Sequence, residues 1–208
     1  MQAIRRIPIG LWLFVGLFLC AFGASGQKRD RMVGVNVGIS NYGLTKDQLT
    51  ESSVEEMGRK LIDDYADQLS ISSKNITKKR IYSNNGWWFV QFEQAINGIP
   101  VEQTEVGFTI GGSGRVISLG SRIFLNVNCS FLQSVDTAGA IAAVERDLGT
   151  KKYKVFSSPK LVILPTKVDT AYKYNLVWRL VVSPPSYFIY YVSAADAKII
   201  LKHEVKAN

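Results

Sequence analysis

The run Trp87-Trp88-Phe89-Val90-Gln91-Phe92-Glu93-Gln94-Ala95-Ile96-Asn97-Gly98-Ile99-Pro100-Val101 constrains the fold of this chain more than any other stretch. Apolar and polar residues alternate up to Asn97-Gly98, and a second apolar run leaves it. Asn-Gly tolerates positive φ at both central positions, which a two-residue hairpin requires. The sequence therefore predicts two antiparallel strands joined here, with Pro100 fixing φ where the second strand starts. Trp87 and Phe89 fall on one face and Trp88 on the other, so at least one of these rings belongs to a core.

A sheet needs a partner for its apolar face. Strands are expected over 81–82, 87–96, 99–110 and 115–125, with Gly111-Gly112-Ser113-Gly114 as a hairpin turn. That glycine run leads into a strand, not into the helix that a phosphate-binding loop opens. Upstream, Ser52-Ser53 followed by Glu55-Glu56 has the form of a capping box. Val54, Met57, Leu61, Tyr65 and Leu69 then recur at helical spacing, while Lys60 and Asp63-Asp64 face away. This helix is the expected cover for the sheet.

The order repeats. Asp136 or Ser134 can cap a helix whose stripe is Ala140, Ile141, Val144 and Leu148, and Gly149 closes it as a left-handed residue. Strands follow over 160–164, 172–183, 187–193 and 198–205, interrupted by Pro184-Pro185-Ser186. The reading is an α+β fold of two small cystatin-like domains, each a helix packed on an antiparallel sheet. The expected organisation is a signal peptide over 1–26, a linker or edge strand over 27–50, and domains over 51–127 and 130–208. A patch alternating over 33–39 is the strand candidate in the linker.

Arg5-Arg6, an apolar run from Ile9 to Phe22 and the small residues Gly23-Ala24-Ser25-Gly26 form a secretory signal. The run is shorter than the ~20 residues that span a bilayer, and Leu19 stands where a lipoprotein box before Cys20 needs a small residue. Cleavage after Gly26 leaves Cys129 as the one cysteine, read as buried and inert. The expected location is secreted or periplasmic. The formal charge of +8 is scattered, with short basic runs such as Lys78-Lys79-Arg80 and Lys151-Lys152 and no long one. Export and that scatter argue against nucleic acid despite the nearby Trp87-Trp88-Phe89.

Catalytic patterns are poorly represented. The chain has a single histidine, and after His203-Glu204 residue Ala207 stands where a His-Glu-x-x-His zinc motif needs its second ligand. No Gly-x-Ser-x-Gly elbow offers a nucleophile. No catalytic residue, metal ligand or cofactor is assigned, and the chain is read as a non-enzyme. Gln103-Thr104-Glu105-Val106-Gly107 misses the cystatin inhibitory pattern, Gln-x-Val-x-Gly, by one place. Asn75-Ile76-Thr77 and Asn128-Cys129-Ser130 are glycosylation triplets if the source is eukaryotic, which makes Asn75 and Asn128 surface markers.

Gln94, Asn97-Gly98-Ile99-Pro100-Val101 and the later Gly114-Arg115-Val116-Ile117 resemble the FTP propeptide module of thermolysin-like and fungalysin-like zinc metallopeptidases. Leu176-Val177-Trp178-Arg179-Leu180 and Tyr190-Tyr191-Val192-Ser193-Ala194 resemble its companion, the PepSY module, so the resemblance spans about residues 50 to 205. It implies that Gln94, Asn97, Gly98, Pro100, Val101, Trp178 and Val192 are structural motif positions. It implies a pro-domain-like protein that binds a zinc metallopeptidase in trans as inhibitor or folding chaperone. The alternatives are an exported PepSY-type binding module with no protease partner, and a metallopeptidase pro-region that has lost its catalytic domain. Ser193 stands where the second module usually has aspartate, and Ala197 where it has the glycine of a turn.

Overall fold

The structure, a computed structural model, describes residues 31–35, 44–183 and 186–205. The expected signal peptide, Cys20, Ala207 and part of the 27–50 segment lie outside the described residues. The fold is α+β, with two antiparallel sheets that each carry a helix.

Thr50 caps the first helix, α1 (Glu51–Asp64), in place of the expected Ser52 or Ser53. Its hydroxyl accepts from the Ser53 N–H at 3.2 Å, and the Ser53 hydroxyl oxygen accepts from the Thr50 N–H at 2.9 Å. Ser53 takes the role that the sequence suggests for a glutamate because its hydroxyl also donates to the Gln48 carbonyl at 2.6 Å, which an ionised carboxylate cannot do. Glu55 is instead held by Arg59 and Lys78. The helix buries Val54, Met57, Gly58, Leu61 and Ile62, and a short α2 (Ala66–Leu69) adds Leu69.

These residues pack on a sheet built from β1 (Arg31–Val35), β2 (Ile76–Asn84), β3 (Trp87–Ile96), β5 (Glu105–Ile110) and β6 (Val116–Ile123), in the order β1-β6-β5-β3-β2. β1 is thus paired to β6 and forms an edge. The expected strand over 99–110 is two pieces: β4 (Ile99–Pro100), which pairs β3, and β5. Between them Gln103 turns the chain at φ 65°. Trp88 joins the core with Phe92 and Phe108, Trp87 is 38% exposed, and Phe89 stacks on Tyr82 at 5.0 Å.

In the second half Asp136 caps α3 (Thr137–Leu148), its carboxylate accepting from the Gly139 N–H at 2.8 Å, and Gly149 ends the helix at φ 63°. Ala140, Ala143 and Val144 are buried, while Ile141 and Leu148 flank them. The sheet runs β11-β10-β9-β7, formed by β7 (Lys154–Val155), β9 (Ala171–Ser183), β10 (Tyr187–Ser193) and β11 (Ile199–Val205), and β8 (Lys160–Val168) also pairs β9. Leu180, Val182, Tyr190 and Val192 meet the helix.

The sheets are stitched together at Val101. Leaving the β3–β4 ladder, it forms a parallel bridge with Ile163 of β8, and the Glu102 N–H donates to the Ile163 carbonyl at 2.9 Å. A third apolar cluster of Val101, Phe124, Cys129, Ile163, Leu176 and Ala194 fills this seam. Among the described residues no helix is long and apolar enough to cross a membrane.

Candidate functional site

The seam collects most of the motif positions that the sequence singles out. Asn97 and Gly98 adopt φ 52° and 78°, the left-handed pair of a tight hairpin turn, so that Ile96 faces Ile99 and Ala95 faces Pro100. Gln94 precedes this turn and is 6% exposed. Its Nε2 donates to the Phe124 carbonyl at 2.9 Å, and its Oε1 accepts from the Phe124 N–H at 3.1 Å. The Gln94 N–H donates to the Thr104 hydroxyl, which in turn donates to the Val101 carbonyl at 2.6 Å. Burial of these groups in an apolar cluster makes each bond costly to break.

Trp178 closes the seam from the second sheet. Its indole Nε1 donates to the Val135 carbonyl at 2.8 Å, its ring contacts both the helix-side core and the seam cluster, and Val192 is its cross-strand neighbour. Gln94, Val101 and Trp178 therefore belong to one packing unit, while the wholly buried Val192 lies one strand further in.

The opposite face of β9 carries a small polar group beside an apolar cluster of Val162, Leu164, Val177 and Tyr191. Arg179 Nε lies 3.5 Å from Glu102 Oε1, and the Tyr191 hydroxyl donates to Glu102 Oε2 at 3.4 Å. The Arg179 Nε atom is buried and makes no hydrogen bond. Burial pushes the Tyr191 phenol above its ordinary pKa, and the Glu102 carboxylate adds to the rise. Burial likewise raises the Glu93 carboxyl; Glu102 reinforces it, while Lys79, Lys160 and Arg179 oppose it. Such a cluster holds two sheets in register by charge and hydrogen bonding. Sequence reasoning does not single out Glu93, Glu102, Arg179 or Tyr191 as a group, because they sit on separate strands with no short-range spacing to connect them.

Ser193 and Ala197 form the turn before β11. The Ser193 hydroxyl accepts from the N–H groups of Ala195 and Asp196 at 3.3 and 3.4 Å, and Ala197 sits at φ 57°. Serine thus performs the local bonding that an aspartate performs in such a turn. Asn75 and Asn128 are exposed. Cys129 is buried, and desolvation raises its thiol pKa. His203 is exposed on β11. Among the described residues no group of three His, Cys, Asp or Glu side chains could hold a metal ion.

No family model matches this chain, and no curated protein matches it. Among solved structures it is similar to the C-terminal domain of YpeB from Bacillus megaterium, with a TM-score of 0.44 and 9% sequence identity, over 83% of this chain and 70% of that one.

Proposed function

We propose that the chain is an exported, non-catalytic binding protein of the pro-domain kind, which engages a zinc metallopeptidase in trans as inhibitor or folding chaperone. The observation that carries this reading is the seam. Gln94, Asn97, Gly98, Pro100 and Val101, which carry the resemblance to protease pro-regions, form one hairpin that Gln94 anchors to Phe124 and whose end, at Val101 and Glu102, bridges to Ile163 of the second sheet. A protein that templates or blocks a partner has to present a surface of fixed shape, and a stable complex covers about 1,200–2,000 Å² in total. A seam that joins the two sheets supports the presentation of such a surface. Neither cofactor nor metal enters the reading.

The second reading is an exported binding module with no protease partner. It is favoured by the exposed edge strand β11, which carries Leu201 and Val205 and pairs only β10 among the described residues. Sheet edges accept strands from partners of many kinds. Titrating the purified protein into a thermolysin-like protease at fixed substrate separates the two, with cleavage of the protein followed by mass spectrometry. Stoichiometric inhibition without rapid digestion supports the pro-domain reading. Failure against both a generic and a cognate protease removes it and leaves the module.

A further inference from the structure

Among the described residues β11 is a free sheet edge, and its own sequence is complementary to itself. We propose that it pairs antiparallel with β11 of a second copy, extending the second sheet across a two-fold axis at His203. Edge strands are normally blunted by lysines, bulges or covering segments. The edge of the first sheet follows that rule: β2 carries Lys78, Lys79 and Arg80 and is bulged between Lys78 and Arg80. β11 carries a single lysine, Lys202, which Asp147 engages, and its register shift is confined to its first residues; from Ile200 to Val205 it is exposed, with Leu201 and Val205 at 44% and 40%.

Its register with a second copy follows from symmetry. A two-fold axis perpendicular to the sheet keeps every side chain on its own face, so the residue on the axis fixes all the pairs. Placing Lys202 there opposes two lysines, and placing Glu204 there opposes two glutamates. Placing Leu201 there leaves Lys202 without the Glu204 carboxylate opposite it. With His203 on the axis, Lys202 faces Glu204 of the other copy on one face, and Leu201 faces Val205 on the other. Opposite charges and apolar pairs both stabilise directly opposed positions of an antiparallel ladder. Lys202 is already drawn onto the helix-side face by Asp147 at 2.8 Å, and the second copy's glutamate would join that carboxylate around an ammonium with three donors. The proposal stands apart from the protease reading and survives its failure.

Cysteine scanning in the full chain tests it, with the parent protein as the control for its own cysteines. Opposed Cα atoms in an antiparallel pair lie ~4.5–5.5 Å apart, within disulfide range. Under a mild added oxidant His203→Cys is expected to form a covalent dimer by itself. Leu201→Cys and Val205→Cys are each expected to stay monomeric on a non-reducing gel, because each would sit about 13 Å from its own copy at ~3.3 Å per residue. Mixed, those two variants are expected to cross-link. Sedimentation of Glu204→Lys, which sets lysine against lysine twice, is expected to show dimer dissociation weakened about tenfold or more. Equal cross-linking at all three positions, or a parent that sediments as a monomer at every concentration with no His203→Cys dimer, overturns the proposal. Circular dichroism of each variant confirms that these exposed substitutions leave the fold intact.

Discussion

The side-chain amide of Gln94 pairs with the backbone of Phe124 as a strand residue would, donating to its carbonyl at 2.9 Å and accepting from its N–H at 3.1 Å. Phe124 follows the end of β6, where the chain leaves the first sheet for the second half. Gln94→Ala would strand both groups in an apolar cluster, at ~1–3 kcal/mol each, so a loss of about 3 kcal/mol is expected in urea unfolding. Gln94→Glu separates the two bonds. A carboxylate still accepts from the N–H but faces the carbonyl without a proton to donate, so its folded pKa would be raised. For an acid the sign is then fixed: the deficit of Gln94→Glu should shrink as pH falls through that raised value, and should be full at neutral pH.

Local signals in the sequence carry much of the fold. Asn97-Gly98 turns where a positive-φ pair must, Asp136 caps α3, and Gly149 ends it, because each signal acts within a few residues. Thr50 is not legible as the α1 cap, since a hydroxyl at Ser53 performs a task usually given to glutamate. The sequence marks Gln94, Val101 and Trp178 but not the contacts that join them into a seam. Val101 meets Ile163, and Glu102 meets Arg179 and Tyr191, across separations that no short-range periodicity encodes. The break of the expected 99–110 strand follows from the same cause, for Val101 leaves one sheet to bridge the other.

Glu93 gives the seam a pH dependence. Burial raises its pKa, so its ionised form costs stability in the folded state and that cost vanishes once the group is protonated. The protein is therefore destabilised as pH rises from the unfolded glutamate value, ~4.3, through the raised folded value. Glu93→Gln should be more stable than the parent at neutral pH and equal to it near pH 4. Paired thermal melts across that range measure the convergence; a constant difference would mean that Glu93 acts through something other than its charge.

Gly58 sets two effects against each other. It lies inside α1, where alanine is favoured by ~1 kcal/mol on helix propensity. A Cβ there would collide with the Phe108 ring and approach Phe92 to 3.3 Å. Overpacking a core ordinarily costs ~1–3 kcal/mol, and Phe108 is itself only 3% exposed, with little room to retreat. Gly58→Ala is expected to lower stability by about 1–2 kcal/mol in chemical denaturation, the reverse of its helix-propensity effect.

At Ala197 the balance runs the other way. The residue is held at φ 57°, where an L side chain costs ~1–2 kcal/mol. Glycine removes that strain but adds ~0.4–1 kcal/mol of unfolded-state entropy to be overcome. Ala197→Gly should therefore stabilise by about 0.5–1 kcal/mol, read as a raised urea midpoint at unchanged slope. Ser193→Ala in the same turn should destabilise, because the N–H groups of Ala195 and Asp196 lose their acceptor.

Val101 tests whether the two sheets unfold as one. Its side chain is wholly buried in the seam cluster, which draws Phe124 from the first half and Ile163, Leu176 and Ala194 from the second. A cluster shared in this way couples the cores, since neither half can open without exposing it. The amides of Val90 in the first core and Leu180 in the second should then exchange with solvent at similar opening free energies. Val101→Ala removes two methyl groups and leaves a void, at a cost of about 2 kcal/mol. Both amides should lose protection by that same amount. If only one of them responds, the halves open independently, and the Val101–Ile163 bridge is an adhesion between separate folding units.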